Sequence, residues 1–255
     1  NAIGSIICNT ALICAITIAI KPAEVDRKSY FIPVIFYFAA SIIYTLFAVI
    51  TGTFSRFVGI LLLAIFVGYM ILQIILAKKE PKPTAEDNVE NPEEQQEIKI
   101  WKALILLIGG AALIAVGANF LVHYGTLLAE KMGVPAKVIA ITFVALGTSL
   151  PELVTAITSL VKGHSSLSLG NIVGANLFNL VLVSGISITL APFAVPASST
   201  IAGINSSFIV DIPLMFIVMG LLTIPTLIKK RVERYQGIVL LLIYAAFCVF
   251  TFVAF

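Results

Sequence analysis

The feature that most limits what this chain can become is a series of apolar runs, each close to the ~20 residues needed to cross bilayer hydrocarbon as a helix. A bilayer offers the backbone no water to bond, so each run has to satisfy its own N–H and C=O groups, as a helix does. Eight runs are readable: Ala2–Ile20, Tyr30–Thr51, Phe57–Ala77, Trp101–Tyr124, Val134–Val161, Asn171–Leu190, Ser206–Ile228 and Gln236–Phe255. Composition points the same way, with 60% hydrophobic residues, 11% charged residues and a mean hydropathy of +1.08, whereas soluble domains carry about 25% charge. An all-α, multi-pass integral membrane protein is expected, with the lipid bilayer as its surroundings. A formal net charge of +3 and the lack of a basic patch interleaved with aromatics exclude nucleic acid as a partner.

If the runs alternate in direction, Lys21, Arg27, Lys28, Lys78, Lys79, Lys82, Lys99, Lys102, Lys162, Lys229, Lys230, Arg231 and Arg234 share one side, and only Arg56, Lys131 and Lys137 lie on the other. The positive-inside rule makes the richer side cytoplasmic and turns both chain ends outward, in the plasma membrane. Glu80–Glu97 is acidic, contains prolines and has no apolar period. It can bury too little surface to offset its ordering entropy, so residues 79–100 are expected to be a disordered cytoplasmic linker. Without EF-hand spacing or a glycine turn it is not read as a calcium loop. Cys8, Cys14 and Cys248 fall inside apolar runs and read as packing residues. No basic segment precedes the first apolar run, so no signal peptide is read, and the chain, opening on Asn1, reads as cut at its N-terminus.

The chain also contains a repeat. NAIGSIICNTALI (Asn1–Ile13) aligns without gaps on NIVGANLFNLVLV (Asn171–Val183) at a constant offset of 170, pairing Asn1 with Asn171, Gly4 with Gly174 and Asn9 with Asn179. The copies lie on the first and sixth runs, five crossings apart, and so traverse the membrane in opposite directions. Inverted repeats organise many secondary transporters, whose substrate sites lie near the midplane where the halves meet. The expected division is a first half over residues 1–78, the linker, and a second half over 101–255. The second half has five runs and the motif GTSLPE (Gly147–Glu152); the first has three runs and no such motif. Symmetry calls for two more spans and a second motif ahead of Asn1, making ten.

The fifth run holds the chemistry. Pro151 has no amide hydrogen, so the Gly147 carbonyl loses its helical donor and two half-helices with a break between them are expected. Carbonyls freed at membrane depth persist only where something else satisfies them. Glu152, a carboxylate inside an apolar run, is a functional candidate on energetic grounds alone. Thr148 lies four residues and Ser149 three residues before it, which places both on its face if the turn is helical. One carboxylate, two hydroxyls and the Ala145 and Gly147 carbonyls are hard oxygen ligands, the set for Ca2+ or Na+ rather than zinc or copper. Asn176 and Asn179 project amides from the next run, and Ser5 and Asn9 repeat an i, i+4 spacing on the first. For the hydroxyls, bonding back to their own backbone is an alternative reading. Gly170, Gly174 and Gly185 would let spans approach closely, and the Gly/Ala-rich fourth run is either closely packed or a smooth surface for sliding. Asp211 reads as a capping or interface residue, with a second site acid as the alternative. His123, near the outer end of its run, and His164, in the hairpin Lys162–Gly170, read as structural or solvated.

Taken together, GTSLPELVTAITSLVKGHSSLSLGNIVGANLFN (residues 147–179) resembles the alpha repeat of the sodium/calcium exchangers of the cation/Ca2+ exchanger superfamily. The resemblance implies a secondary antiporter, not an enzyme, with no cofactor and with Ca2+ and Na+ as the transported ions. Two inverted alpha repeats would hold the ions at mid-membrane, and the first helix of each half would slide to alternate access. Its implied ligands are Thr148, Ser149, Glu152, the Ala145 carbonyl and Asn179, joined by Ser5 and Asn9 from the other repeat. Ala175 stands where the family often has Ser, Asn179 where it sometimes has Asp, and Ile6 and Cys8 where Asn and Phe are more usual. An H+/Ca2+ antiporter is the alternative within transport, since a buried Glu can carry a proton; a half protein that does not transport is a third reading. An intramembrane serine protease would need Ser149 within hydrogen-bond reach of a histidine, and His123 and His164 fall toward opposite faces.

Overall fold

The computed structural model describes residues 2–79, 100–134, 139, 145–162, 165–195, 200–201 and 203–254. The expected linker from Glu80 to Lys99 lies outside them, as do Asn1, His164 and most of the fifth run ahead of Ala145. Among the described residues, seven helices are long and apolar enough to cross a bilayer. They are α1 (Ala2–Ile20), α2 (Arg27–Thr51), α3 (Arg56–Lys79), α4 (Ile100–Lys131), α7 (residues 165–190), α8 (Ser207–Lys229) and α9 (Arg234–Ala254). Between α4 and α7 the fifth run is split into α5 (Ala145–Thr148) and α6 (Leu150–Val161), which is the expected break. Among the described residues, three helices contain π-turns that sequence patterning does not anticipate: Asn9–Cys14 in α1, Asn179–Val183 in α7 and Ser207–Asp211 in α8.

Helix α4 runs past Tyr124 to Lys131 and stops before Gly133, whose φ of 74° only glycine adopts readily. Its 32 residues extend about 48 Å at 1.5 Å each, beyond the ~30 Å of hydrocarbon. His123 therefore lies within the helix and not near its end.

Two loop pairings define the ends of the molecule. The Val25 N–H donates to the Lys230 carbonyl and the Val232 N–H to the Ala23 carbonyl, both at 2.9 Å, so the α1–α2 and α8–α9 connections lie side by side. At the other end of α2, β1 (Thr53–Phe54) pairs antiparallel with β2 (Phe193–Ala194), and the Val195 N–H reaches the Gly52 carbonyl at 2.9 Å. Helices α1 and α7 thus finish at opposite ends of α2 and cross in opposite directions. Lys21, Lys229, Lys230 and Arg231 cluster at the first of these ends.

The same inversion is visible in the packing. Helix α3 presses Gly59 against α7, where a Cβ would lie 2.6 Å from the Thr189 nitrogen and 2.9 Å from the Gly185 carbonyl oxygen. Helix α9 presses Gly237 against α1, where a Cβ would lie 2.6 Å from the Ala15 carbonyl oxygen and 2.7 Å from the Ala19 nitrogen. Subtracting the repeat offset of 170 from Gly185 and Thr189 gives Ala15 and Ala19, so one glycine-mediated crossing occurs twice, once in each orientation. Gly185 behaves as expected, but Gly170 and Gly174 meet nothing within 4 Å, and neither do Gly109, Gly110 and Gly117 of α4. The first two border a cavity, and α4 exposes its apolar residues, among them Leu104, Ile108 and Leu113. Close packing at these glycines is therefore not found among the described residues. The core lies between α1, α2, α7 and α8, with Ile6, Ile7, Tyr37, Ile172, Leu177 and Met215 buried in it.

Replacing Gly237 by Val is expected to overpack the α1–α9 contact at a cost of about 1–3 kcal/mol. That lowers the melting temperature of the detergent-solubilised protein by about 3–10 °C, whereas Gly68→Val, at an exposed glycine with nothing within 4 Å, leaves it unchanged.

Candidate cation-binding site

Pro151 enforces the break at which the site is built. Ser149, with φ −100° and ψ 6°, stands between α5 and α6, and its carbonyl accepts the Leu153 N–H at 3.0 Å to open the second helix. Glu152 falls in the first turn of α6, where unbonded N–H groups favour a negative charge. Ala145 opens α5 and Thr148 ends it. Thr148 and Glu152 keep to one side of the break, both lining a cavity of about 510 Å3 together with Thr155, Asn171 and Ala175. Ser149 departs from the expected shared face because it is the one non-helical residue between them. It is fully buried, with its hydroxyl against the Cys8 thiol of α1.

The two repeats meet across this break. The Ser5 and Thr148 hydroxyls lie 2.9 Å apart. Asn9 Nδ2 donates to Asn176 Oδ1 at 3.1 Å, and Asn176 Nδ2 donates to Thr10 Oγ1 at 2.8 Å. Thr10 in turn donates to the Met219 sulfur of α8 at 3.2 Å. Asn176, expected to project its amide, is a fully buried cross-link between repeats. Asn9 also adjoins the Glu152 carboxyl, and both Ser149 and Glu152 adjoin Cys8. One oxygen within this group, Asn9 Oδ1, is buried with no hydrogen-bond partner. A buried oxygen in that state costs about 1–3 kcal/mol, and hard cations are the ligands that such oxygens accept. Among the described residues no three His, Cys, Asp or Glu side chains come together. The arrangement is one carboxylate amid neutral oxygens, suited to hard cations.

A second cavity, of about 560 Å3, opens toward the paired strands β1 and β2, with Phe54, Phe193 and Val195 in its wall. Ser5, Thr148 and Asn179 line it. Thr148 therefore belongs to both cavities, one reaching the β1–β2 end and the other the start of α7 at Gly170 and Asn171. Asn179 heads the π-turn of α7 as Asn9 heads that of α1, again at an offset of 170. Such turns recur at functional sites. No residue pattern announces a π-turn, but the paired asparagines of the repeat were the available signal. Asp211 ends the π-turn inside α8, makes no side-chain capping hydrogen bond to the α-helical part that follows and lines this cavity, which corrects the capping half of the capping-or-interface reading. His123 borders a third groove that includes Gly147 and Thr148.

A helix broken at a carboxylate, inverted repeats joined across it and cavities toward both ends define a membrane transporter of the inverted-repeat class. A family model described as sodium/calcium exchanger protein matches residues 1–75 and 102–253, and the chain belongs to that family. It is 30% identical over 251 residues to CaxA of Alkalimonas amylolytica, covering 97% of this chain and 76% of CaxA. It is 33% identical over 159 residues to the sodium/calcium exchanger MaX1 of Methanosarcina acetivorans, covering 62% of this chain and 43% of MaX1. Among solved structures, the sodium-calcium exchanger NCX_Mj soaked with 2.5 mM Na+ and 10 mM Sr2+ superposes with a TM-score of 0.72 at 26% identity, over 96% of this chain and 74% of that one.

Asn176→Leu keeps the branched shape of the side chain but removes the acceptor of Asn9 and the donor to Thr10, an expected loss of about 1–3 kcal/mol. Thermal denaturation of the purified protein should show it as a drop of about 3–10 °C.

Proposed function

We propose that the protein is a secondary antiporter that exchanges Na+ for Ca2+ by alternating access. The observation that carries this reading is the position of Thr148 and Glu152, at a helix break between cavities directed to opposite ends and hydrogen-bonded through Thr148 to Ser5 of the other repeat. In this reading Glu152, Thr148, Ser149, the Ala145 carbonyl and Asn179, with Ser5 and Asn9, bind both ions in turn. Both are hard cations that take oxygen ligands, so they compete for one set and occupancy by one excludes the other. Exchange follows if the loaded site opens to one cavity at a time. The Ser5–Thr148 contact lies at their junction, and movement of α1 against α5 changes which cavity the site faces. The basic end that carries Lys21 and Arg231 is assigned to the cytoplasm and the β1–β2 end to the outside.

The test is Ca2+ uptake into vesicles containing the protein, driven by an imposed Na+ gradient or by an imposed pH gradient. Na+-driven uptake insensitive to a proton uncoupler is expected. Uptake driven by pH alone would make the protein a H+/Ca2+ antiporter. Glu152→Gln, folded by size-exclusion chromatography, is expected to reduce Na+-driven uptake by about 10–100-fold, the scale of losing a charge-assisted contact.

A further inference from the structure

The last helix of each repeat sends one aromatic ring to one cavity. The crossing glycines, Gly59 of α3 and Gly237 of α9, stand 178 residues apart, and at that offset other buried positions coincide: Val58 with Gln236, Leu62 with Leu240 and Tyr69 with Phe247. Tyr69 is 7% exposed and Phe247 6%. Each lies ten residues beyond its glycine, about 15 Å along a helix, which brings it to the depth of the ion ligands on the helix it crosses. Tyr69 packs on Phe178 with ring centroids 6.4 Å apart, immediately before Asn179, and Phe247 shares a cavity lining with Ser5 and Ile7. The two cavities are different ones. Tyr69 is the α3 residue on the lining of the cavity that holds Glu152 and ends at Gly170 and Asn171, and Phe247 is the α9 residue on the lining of the cavity at the β1–β2 end. Packing explains a buried aromatic such as Tyr37, but it does not explain a matched pair in which one repeat position delivers one ring to each access route. Tyr69 also rests on Phe36 at 5.3 Å and accepts a hydrogen bond from Gln73 Nε2 at 2.9 Å, whereas Phe247 has no hydroxyl to hold.

We infer that Tyr69 and Phe247 are the side chains that shut the ion site off from its two cavities, one ring for each, with one ring withdrawn at a time. The inference deepens the antiport reading and rests on it, since coupled exchange requires that the site never communicate with both sides together. A hydrated cation is stopped by an apolar constriction that water leaves. A large, rigid ring with two side-chain torsions makes such a constriction and moves as one body. Tyr69 packs on α7 and Phe247 borders α1, so relative movement of these helices at the break acts on the two rings in opposite senses, as an inverted repeat requires. Closure belongs to the ring and not to the Tyr69 hydroxyl, because the Phe247 side closes without one.

Ca2+ release from loaded vesicles into buffer free of Na+ and Ca2+ is measured for wild type, Tyr69→Ala, Phe247→Ala, the double variant, Tyr69→Phe, Phe247→Tyr and Leu62→Ala, each checked by size-exclusion chromatography. A coupled exchanger releases little Ca2+ without Na+. Each single alanine variant should raise this uncoupled release about 10-fold, which is about 1.4 kcal/mol off the barrier, and the double variant should exceed the sum of the two, as closures in series do. Tyr69→Phe and Phe247→Tyr keep a ring and stay as tight as wild type. Leu62→Ala, seven residues before Tyr69 and buried on the lining of neither cavity, lowers the melting temperature without a leak. Where an alanine variant does not fold, Tyr69→Val or Phe247→Val takes its place. No added release in either alanine variant, an equal leak in Leu62→Ala, or an equal leak in the variants that keep a ring would each overturn the inference. If wild type shows no Na+-driven uptake, the antiport reading fails by itself. The rings are then tested with a membrane-impermeant thiol reagent on Thr148→Cys, which borders both cavities, with Cys8, Cys14 and Cys248 replaced by Ser. Faster reaction only from the Gly170 face in Tyr69→Ala and only from the β1–β2 face in Phe247→Ala supports the paired closure, and unchanged or unsided rates reject it.

Discussion

Pro151 has no amide hydrogen to give, and in a bilayer that single missing donor cannot be replaced by water from the lipid side. The helix has to stop and restart, and the stop at Ser149 is what exposes α6's first turn to Glu152 and leaves Thr148 at the end of α5. A carboxylate here gains the favourable end of a helix and a neighbouring Asn9 amide, which an unbroken span could not offer. Two surfaces are held against this break: α1 from the first repeat, through Ser5 and Asn9, and α7 from the second, through Asn171 donating to Thr155.

The second requirement is that two segments with opposite directions meet face to face. The fold achieves this with a crossing used twice, Gly59 on α7 and Gly237 on α1, each bringing backbones within reach of one another where lipid gives no hydrophobic drive for association. The paired loops at either end of α2 then keep the two halves in register. The halves are not chemically equal. Asn176 has Ile6 as its counterpart, Ser5 has Ala175, and Thr10 has Leu180. The buried chain Asn9–Asn176–Thr10–Met219 is therefore a single asymmetric link and not a symmetric pair. An asymmetric link ties α1 to α7 while leaving the hydroxyl pair Ser5–Thr148 to mark the junction of the two cavities.

Much of this was legible in the residues. Apolar length alone placed α1 to the residue and the end of α2, whose first turn from Arg27 lies ahead of the apolar run, because a helix must span hydrocarbon and polar or charged residues flank it. Proline chemistry located the break, and the offset of 170 located the inversion. The C-terminal end of α4 was not legible, since its apolar character fades gradually and the left-handed Gly133 lies beyond Lys131. Gly170 and Gly174 were misread because a small residue serves a close contact and an open cavity wall equally well. Asp211 was misread as a cap because a carboxylate near a helix start looks the same in sequence whether it caps or lines a cavity wall.

What the sequence by itself determined was the class: helices that cross a bilayer, a break with a carboxylate beside it, and two related segments running in opposite directions. These follow from local chemistry, the hydrogen-bond needs of a backbone without water and the missing proton of one proline. Only the tertiary structure decided which oxygens face one another. Ser5 on Thr148, Asn9 on Asn176, Ser149 turned onto Cys8 and Asp211 on the cavity wall all depend on π-turns and helix crossings that set rotation about each axis. One extra residue in a turn rotates every side chain after it, and no pattern of residue types along the chain records that rotation.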